Sequence, residues 1–196
     1  SGGAVFIAQY HGAGDRANIR RIFGAVLCMN VPLALLVCGV CFFAPELIAS
    51  VFTNEPAMIE GAAQYLQIAC FAYVGVSLSQ TMSVVLRSTE KVRLPMFASM
   101  ASSLLNVAFN YILIFGRLGF PAMGIRGAAL ATVISSFTNV AVLLIVSLIQ
   151  KNILIAPLRE IFSISHGFLR RFLKLAAPVL VNEGLWSLGV LGYNMV

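Results

Sequence analysis

Between Arg93 and Arg117 the chain carries no charged residue, and the stretch from Met96 to Phe115 alone supplies twenty uncharged positions. A helix rising about 1.5 Å per residue needs about twenty apolar residues to cross a hydrocarbon core about 30 Å thick. In lipid the backbone of such a segment is satisfied only if it is helical. The stretch therefore predicts a membrane span, and its flanks have to be read with a bilayer as solvent. On one side lies the basic loop Arg87-Ser88-Thr89-Glu90-Lys91-Val92-Arg93, followed by Leu94-Pro95. On the other, Gly116 to Pro121 turns the chain, and Gly124-Ile125-Arg126-Gly127-Ala128-Ala129 opens a second uncharged run that lasts to Ile149. Leu86 to Ile149 thus predicts a helical hairpin hung from a basic loop.

Composition extends this reading to the whole chain. It is 60% hydrophobic and 10% charged, far from the balance of a soluble domain, so the expected fold class is all-α, a polytopic transmembrane helix bundle. The excess of Lys and Arg does not point to nucleic acid, because the positive residues lie between apolar spans and form no basic face on a soluble module. Cys28, Cys38, Cys41 and Cys70 fall inside or near predicted spans and are read as small apolar packing residues. Cys38 and Cys41 form a C-x-x-C pair, but with no further ligand beside it packing is preferred to a metal or redox role.

Further spans are predicted over 22–43 and 62–86, with Pro32 tolerated inside the first at the expense of a kink. Residues 2–10 read as the last turns of an earlier span, and Ala44 to Pro56 as a loop without Lys or Arg. All Lys and Arg except Arg117 and Arg126 fall in three segments, at 16–21, 87–93 and 151–174. The positive-inside rule puts these segments in the cytoplasm. The mixed stretch 150–175, with Phe162, Phe168 and Phe172 among its cations, suits a helix lying at the membrane interface, or else a plain connector. A last span starts near Ala176, and both ends of the sequence look internal to a longer protein.

Polar residues recur at helical spacing on these spans. Ser99, Ser103, Asn106 and Asn110 form one stripe, Ala131, Ser135 and Asn139 another, and Tyr73, Ser77 and Gln80 a third. Such stripes turn from lipid toward partner helices or a wet cavity. Asn106, Asn110, Ser135, Asn139, Tyr73, Ser77 and Gln80 are accordingly the cavity-lining candidates, with interhelical hydrogen bonding as the plainer alternative. Glu183 is the one acidic residue well inside a predicted span. A carboxylate there costs about 2.5–3.5 kcal/mol on insertion scales, so it is expected to face a cavity and handle an ion, a proton or a cationic substrate, with Asn182 and Trp186 beside it.

Leu86-Arg87-Ser88-Thr89-Glu90 with Pro95, then Asn106 and Asn110 with Ile114-Phe115-Gly116, then Pro121, Gly124 and Gly127-Ala128-Ala129-Leu130-Ala131-Thr132, resembles the multidrug and toxic compound extrusion (MATE) family of transporters. Gln9-Tyr10 with Gly12, Gly14 and Asp15 is similar to the loop after that family's second helix. The resemblance implies twelve helices in two bundles of six around a central cavity. This chain would then hold the end of helix two and helices three to six (1–149), a cytoplasmic linker (150–175) and the start of helix seven (176–196). It also implies a functional acidic residue in helix seven, onto which Glu183 maps, although Pro178 to Glu183 is a shorter spacing than the family's usual one.

An enzyme finds no footing here. The histidines, His11 and His166, lie in loops, and neither an H-E-x-x-H set nor an ATPase phosphate loop is present. The expected function is secondary active efflux from a multi-pass protein of the plasma membrane. It would export small cationic or amphipathic organic molecules in exchange for Na⁺ or H⁺, with no cofactor and with the bilayer and the remaining helices as partners. A flippase for lipid-linked sugars, or a membrane scaffold without transport, are the alternatives.

Overall fold

A computed structural model describes residues 2–155 together with 177, 181, 184–186 and 189. Six helices run in chain order: α1 Gly2–Gly12, α2 Arg16–Phe43, α3 Pro45–Ser50, α4 Pro56–Ser88, α5 Arg93–Phe115 and α6 Ile125–Ile149. The described residues contain no strand. Of these helices α2, α4, α5 and α6 are long and apolar enough to cross a membrane. At 33 residues α4 measures about 50 Å, longer than a hydrocarbon core, so it tilts or projects beyond it.

The helix boundaries correct the sequence reading at several places. Helix α1 runs on to Gly12 and so takes in His11. Helix α2 starts at Arg16, not Ile22, because Asp15 caps it: its Oδ1 accepts from the Asn18 N–H at 3.1 Å and its Oδ2 from Asn18 Nδ2 at 2.6 Å. The expected loop 44–56 contains α3, which starts on Pro45, and α4 starts on Pro56, six residues before Ala62. A proline fits the first turn of a helix, where its missing N–H would have no partner, so both prolines begin helices instead of breaking them. Likewise α5 takes Pro95 into its first turn. Pro32 lies inside α2, where it leaves the Cys28 carbonyl without its usual helical donor.

The four long helices pack in the order α2, α4, α6, α5, with α5 held almost wholly by α6. The interior is small and the exterior large, as expected where lipid replaces water and close backbone approach drives association. Ala69, Cys70, Ala72, Ala98, Ala129 and Ala131 are buried, while Leu36, Leu104 and Ile145 face outward. Cys38, Cys41 and Cys70 sit together in an apolar cluster as free thiols.

Large buried side chains gather at one end. Ile19 and Ile22 of α2, Val85 and Leu86 of α4, Ala98 of α5, Val140 and Leu143 of α6 and Leu154 form a single core there. The basic segments at 16–21, 87–93 and Lys151 therefore share one end of the bundle, and Lys91 Nζ donates to Asn152 Oδ1 across it. At the opposite end the first turns of α4 and α6 meet, with Gly61 against Ile125. Of the predicted interfacial stretch 150–175, residues 150–155 are turn and irregular backbone, and 156–175 lie outside the described residues.

Candidate functional site

The α5–α6 seam is set by two glycines and a run of small residues. Gly116 ends α5 in the left-handed region at φ 66°, where glycine carries no Cβ penalty, and the chain returns through 117–124 into α6. Gly127 then comes against the Leu113 backbone so closely that a Cβ there would lie 2.7 Å from its carbonyl oxygen. With the backbones this near, short polar side chains reach across the seam.

They form a chain of donors with one direction. Asn110 Nδ2 donates to Asn106 Oδ1 at 2.9 Å, Asn106 Nδ2 to Ser135 Oγ at 3.0 Å, and Ser135 Oγ to the Thr132 carbonyl at 3.0 Å. Ser102 Oγ donates to the Ser135 carbonyl at 2.6 Å. At the head of this chain the Asn110 Oδ1 is buried and accepts from no described residue, and the same is true of Asn139 Oδ1 on α6. Two carbonyl oxygens left open in an apolar interior can take a hydrogen-bond donor or an alkali cation, since oxygen donors suit hard cations.

The structure thus joins Asn106, Asn110 and Ser135, and leaves Asn139 on α6 with an open acceptor. It separates the predicted α5 stripe: Ser103 is exposed and Ser99 half-buried, while Ser102, which that stripe omits, is the serine that bonds to α6. The third set lies apart from the seam. Tyr73 and Gln80 are exposed on α4 and Ser77 is half-buried, and none of the three side chains has a hydrogen bond to α5 or α6. Below them is a polar link that the sequence reading did not single out: Asn30 Nδ2 of α2 donates to Thr81 Oγ1 of α4 at 3.1 Å, and Thr81 Oγ1 donates to the Ser77 carbonyl at 2.8 Å. A lone asparagine in mid-span, two residues before Pro32, was its available signal. Trp186 is helical and 72% exposed, whereas Asn182 and Glu183 lie outside the described residues. Among the described residues no group of His, Cys, Asp and Glu is placed to hold a metal ion.

Residues 1–112 match the family model described as MatE. A probable multidrug resistance protein NorM of Thermotoga maritima is 31% identical over 97% of the chain and 40% of its own length. A probable multidrug resistance protein YoeA of Bacillus subtilis is 28% identical over 96% of the chain and 41% of its own. In three dimensions the chain is similar to an inward-facing multidrug resistance MATE family transporter of the MOP superfamily, with a TM-score of 0.77 at 21% identity, over 90% of this chain and 39% of that one. The chain spans about two fifths of the length of these relatives.

Proposed function

Because the chain belongs to the MatE family, we propose that it forms the first helix bundle and the start of the second in a secondary active exporter of the plasma membrane. Residues 1–149 are the bundle, 150–175 the cytoplasmic linker and 176–196 the opening of helix seven. The exporter carries small cationic or amphipathic organic molecules outward in exchange for Na⁺ or H⁺. Relatives named as multidrug resistance proteins support the substrate class, and the absence of phosphate-loop and catalytic motifs from the sequence supports gradient coupling.

The observation that carries this reading is the open buried acceptor of Asn110 Oδ1 at the head of the directional chain of donors, with a second open acceptor, Asn139 Oδ1, on α6. Burying an unpaired carbonyl is unfavourable, and an ion or substrate passing through the protein is the kind of partner that offsets it. Tyr73, Ser77 and Gln80 line the cavity from α4, and Glu183, with Asn182 and Trp186, supplies the ionisable group that exchanges the coupling ion. Such carriers bind substrate near the bilayer midplane between two bundles that rock past each other.

The test uses the full-length protein in vesicles, with organic-cation flux driven by an imposed Na⁺ or pH gradient. Asn110→Ala and Glu183→Gln should each abolish gradient-driven flux while leaving folded yield near normal. Wild-type flux in both variants would remove the seam and helix seven from the transport path together.

A further inference from the structure

At its basic end the α5–α6 hairpin encloses a groove of about 880 Å³, lined by none of the polar-seam residues. Phe97, Ala101 and Leu104 of α5 form one wall and Val142 and Val146 of α6 the other. At the mouth stand Lys91 and Arg93, with Glu90 beside them. The Lys91 ammonium is held in place by Asn152 Oδ1. Arg93 is exposed and makes no hydrogen bond or ion pair with another described residue.

The groove has the dimensions of half a bilayer. Leu104 lies eleven residues beyond Arg93, about 16 Å along the helix, and one leaflet of a hydrocarbon core is about 15 Å deep. A cationic mouth at headgroup level above an apolar trough one leaflet deep matches the two halves of an anionic lipid. Guanidinium binds phosphate through a planar fork, and basic pockets between membrane helices take acidic headgroups. Two cations outweigh the single Glu90 carboxylate, so the mouth favours a negative headgroup over a zwitterionic one.

We propose that this groove holds one anionic glycerophospholipid, its phosphate on Arg93 and Lys91 and one acyl chain between α5 and α6 down to Leu104. The inference stands apart from the transport reading, since it needs only that α5 and α6 span a membrane.

The experiment is native mass spectrometry of the full-length protein in a neutral maltoside detergent, titrated with phosphatidylglycerol or with phosphatidylcholine of the same chains. Phosphatidylglycerol should bind more tightly, and Arg93→Gln should weaken it about fivefold, the loss of one cation near an anionic headgroup, with phosphatidylcholine unaffected. Ala101→Trp, which fills the trough, should reduce binding of both lipids, and soluble glycerol 3-phosphate should not compete. Equal binding of the two lipids, or unchanged phosphatidylglycerol binding by Arg93→Gln, would overturn the proposal. Competition by glycerol 3-phosphate would overturn it in favour of a site for free phosphate. Phosphatidylglycerol bound by Ala101→Trp as by wild type would overturn it, because the acyl chain would then lie outside the groove.

Discussion

Gly127 of α6 rests on the peptide carbonyl of Leu113 in α5, with room for a hydrogen but not for a methyl group: a Cβ would stand 2.7 Å from both the carbonyl carbon and the oxygen. Backbone, unlike a side-chain tip, cannot swing away from such a clash. The α5–α6 seam therefore has no smaller residue available to it at this position.

Gly127→Ala should lower the melting temperature of the detergent-solubilised protein, by an overpacking penalty of about 1–3 kcal/mol. Gly39→Ala is the control, because nothing lies within 4 Å of a Cβ there. Replacing a glycine in a helix interior with alanine is worth about 0.5–1 kcal/mol, so Gly39→Ala should be neutral or stabilising. Equal melting curves for the two variants would mean that the seam is looser than described.

Asn106 and Asn110 should separate in their effects on stability. Asn106 both accepts from Asn110 and donates to Ser135, so Asn106→Ala breaks two bonds at an average of about 0.6 kcal/mol each in a membrane interior. Asn110→Ala breaks one bond but removes a buried open carbonyl, so its melting temperature should stay near wild type. Thermal denaturation of the two variants decides this, and a larger loss for Asn110→Ala would contradict the donor direction.

The Asn30–Thr81 bond links α2 to α4, and a double-mutant cycle with Asn30→Leu and Thr81→Val should return a coupling of about 0.6 kcal/mol, with about 1.7 as the upper end for such pairs. Additive losses would show that the two side chains act independently.

Acid should weaken the start of α2. The hydrogen bonds from the Asn18 backbone and side chain favour the Asp15 carboxylate and hold its pKa below the ordinary value. A depressed folded-state pKa contributes stability that is present above the unfolded-state value, about 3.9, and is lost as pH falls through the folded-state one. The melting-temperature gap between wild type and Asp15→Ala should thus hold steady from neutral pH down to about pH 5 and close below about pH 4. A gap that widens in acid would refute the capping role.

Sidedness gives a further check. Ser88 and Asn54 lie at opposite ends of α4, just inside its last turn and just before its first. In a background without the native Cys28, Cys38, Cys41 and Cys70, Ser88→Cys should react with a membrane-impermeant reagent only from the cytoplasmic side and Asn54→Cys only from outside. Reaction of both from one side would contradict the span assignment.

The spans were legible because charge-free length is a demand of the bilayer itself, and Met96 to Phe115 meets it without help from tertiary context. The phase of a helix is a different matter. Spacings of three and four admit Ser99 and Ser103 as readily as Ser102, and what decides is which face is small enough for close approach: Pro95, Ala98 and Ser102 are buried together. The Asn30–Thr81 pair was hidden by its separation of 51 residues, since nothing local to either residue names the other. Helix α3 was missed because Pro45 reads as a breaker until its position at a helix start is known.

On its other face α6 meets a second glycine. Opposite the Gly127 contact, a Cβ on Gly75 of α4 would come within 2.7 Å of Ser136 Oγ and 3.2 Å of the Ser136 carbonyl carbon. The Leu113 backbone on one side and the seated Ser136 side chain on the other oppose rolling or sliding of α6. Helix α6 is thus the element through which α4 and α5 are held together. Any bend in the long helices falls most easily in α2, where Pro32 has removed a rung from the hydrogen-bond ladder.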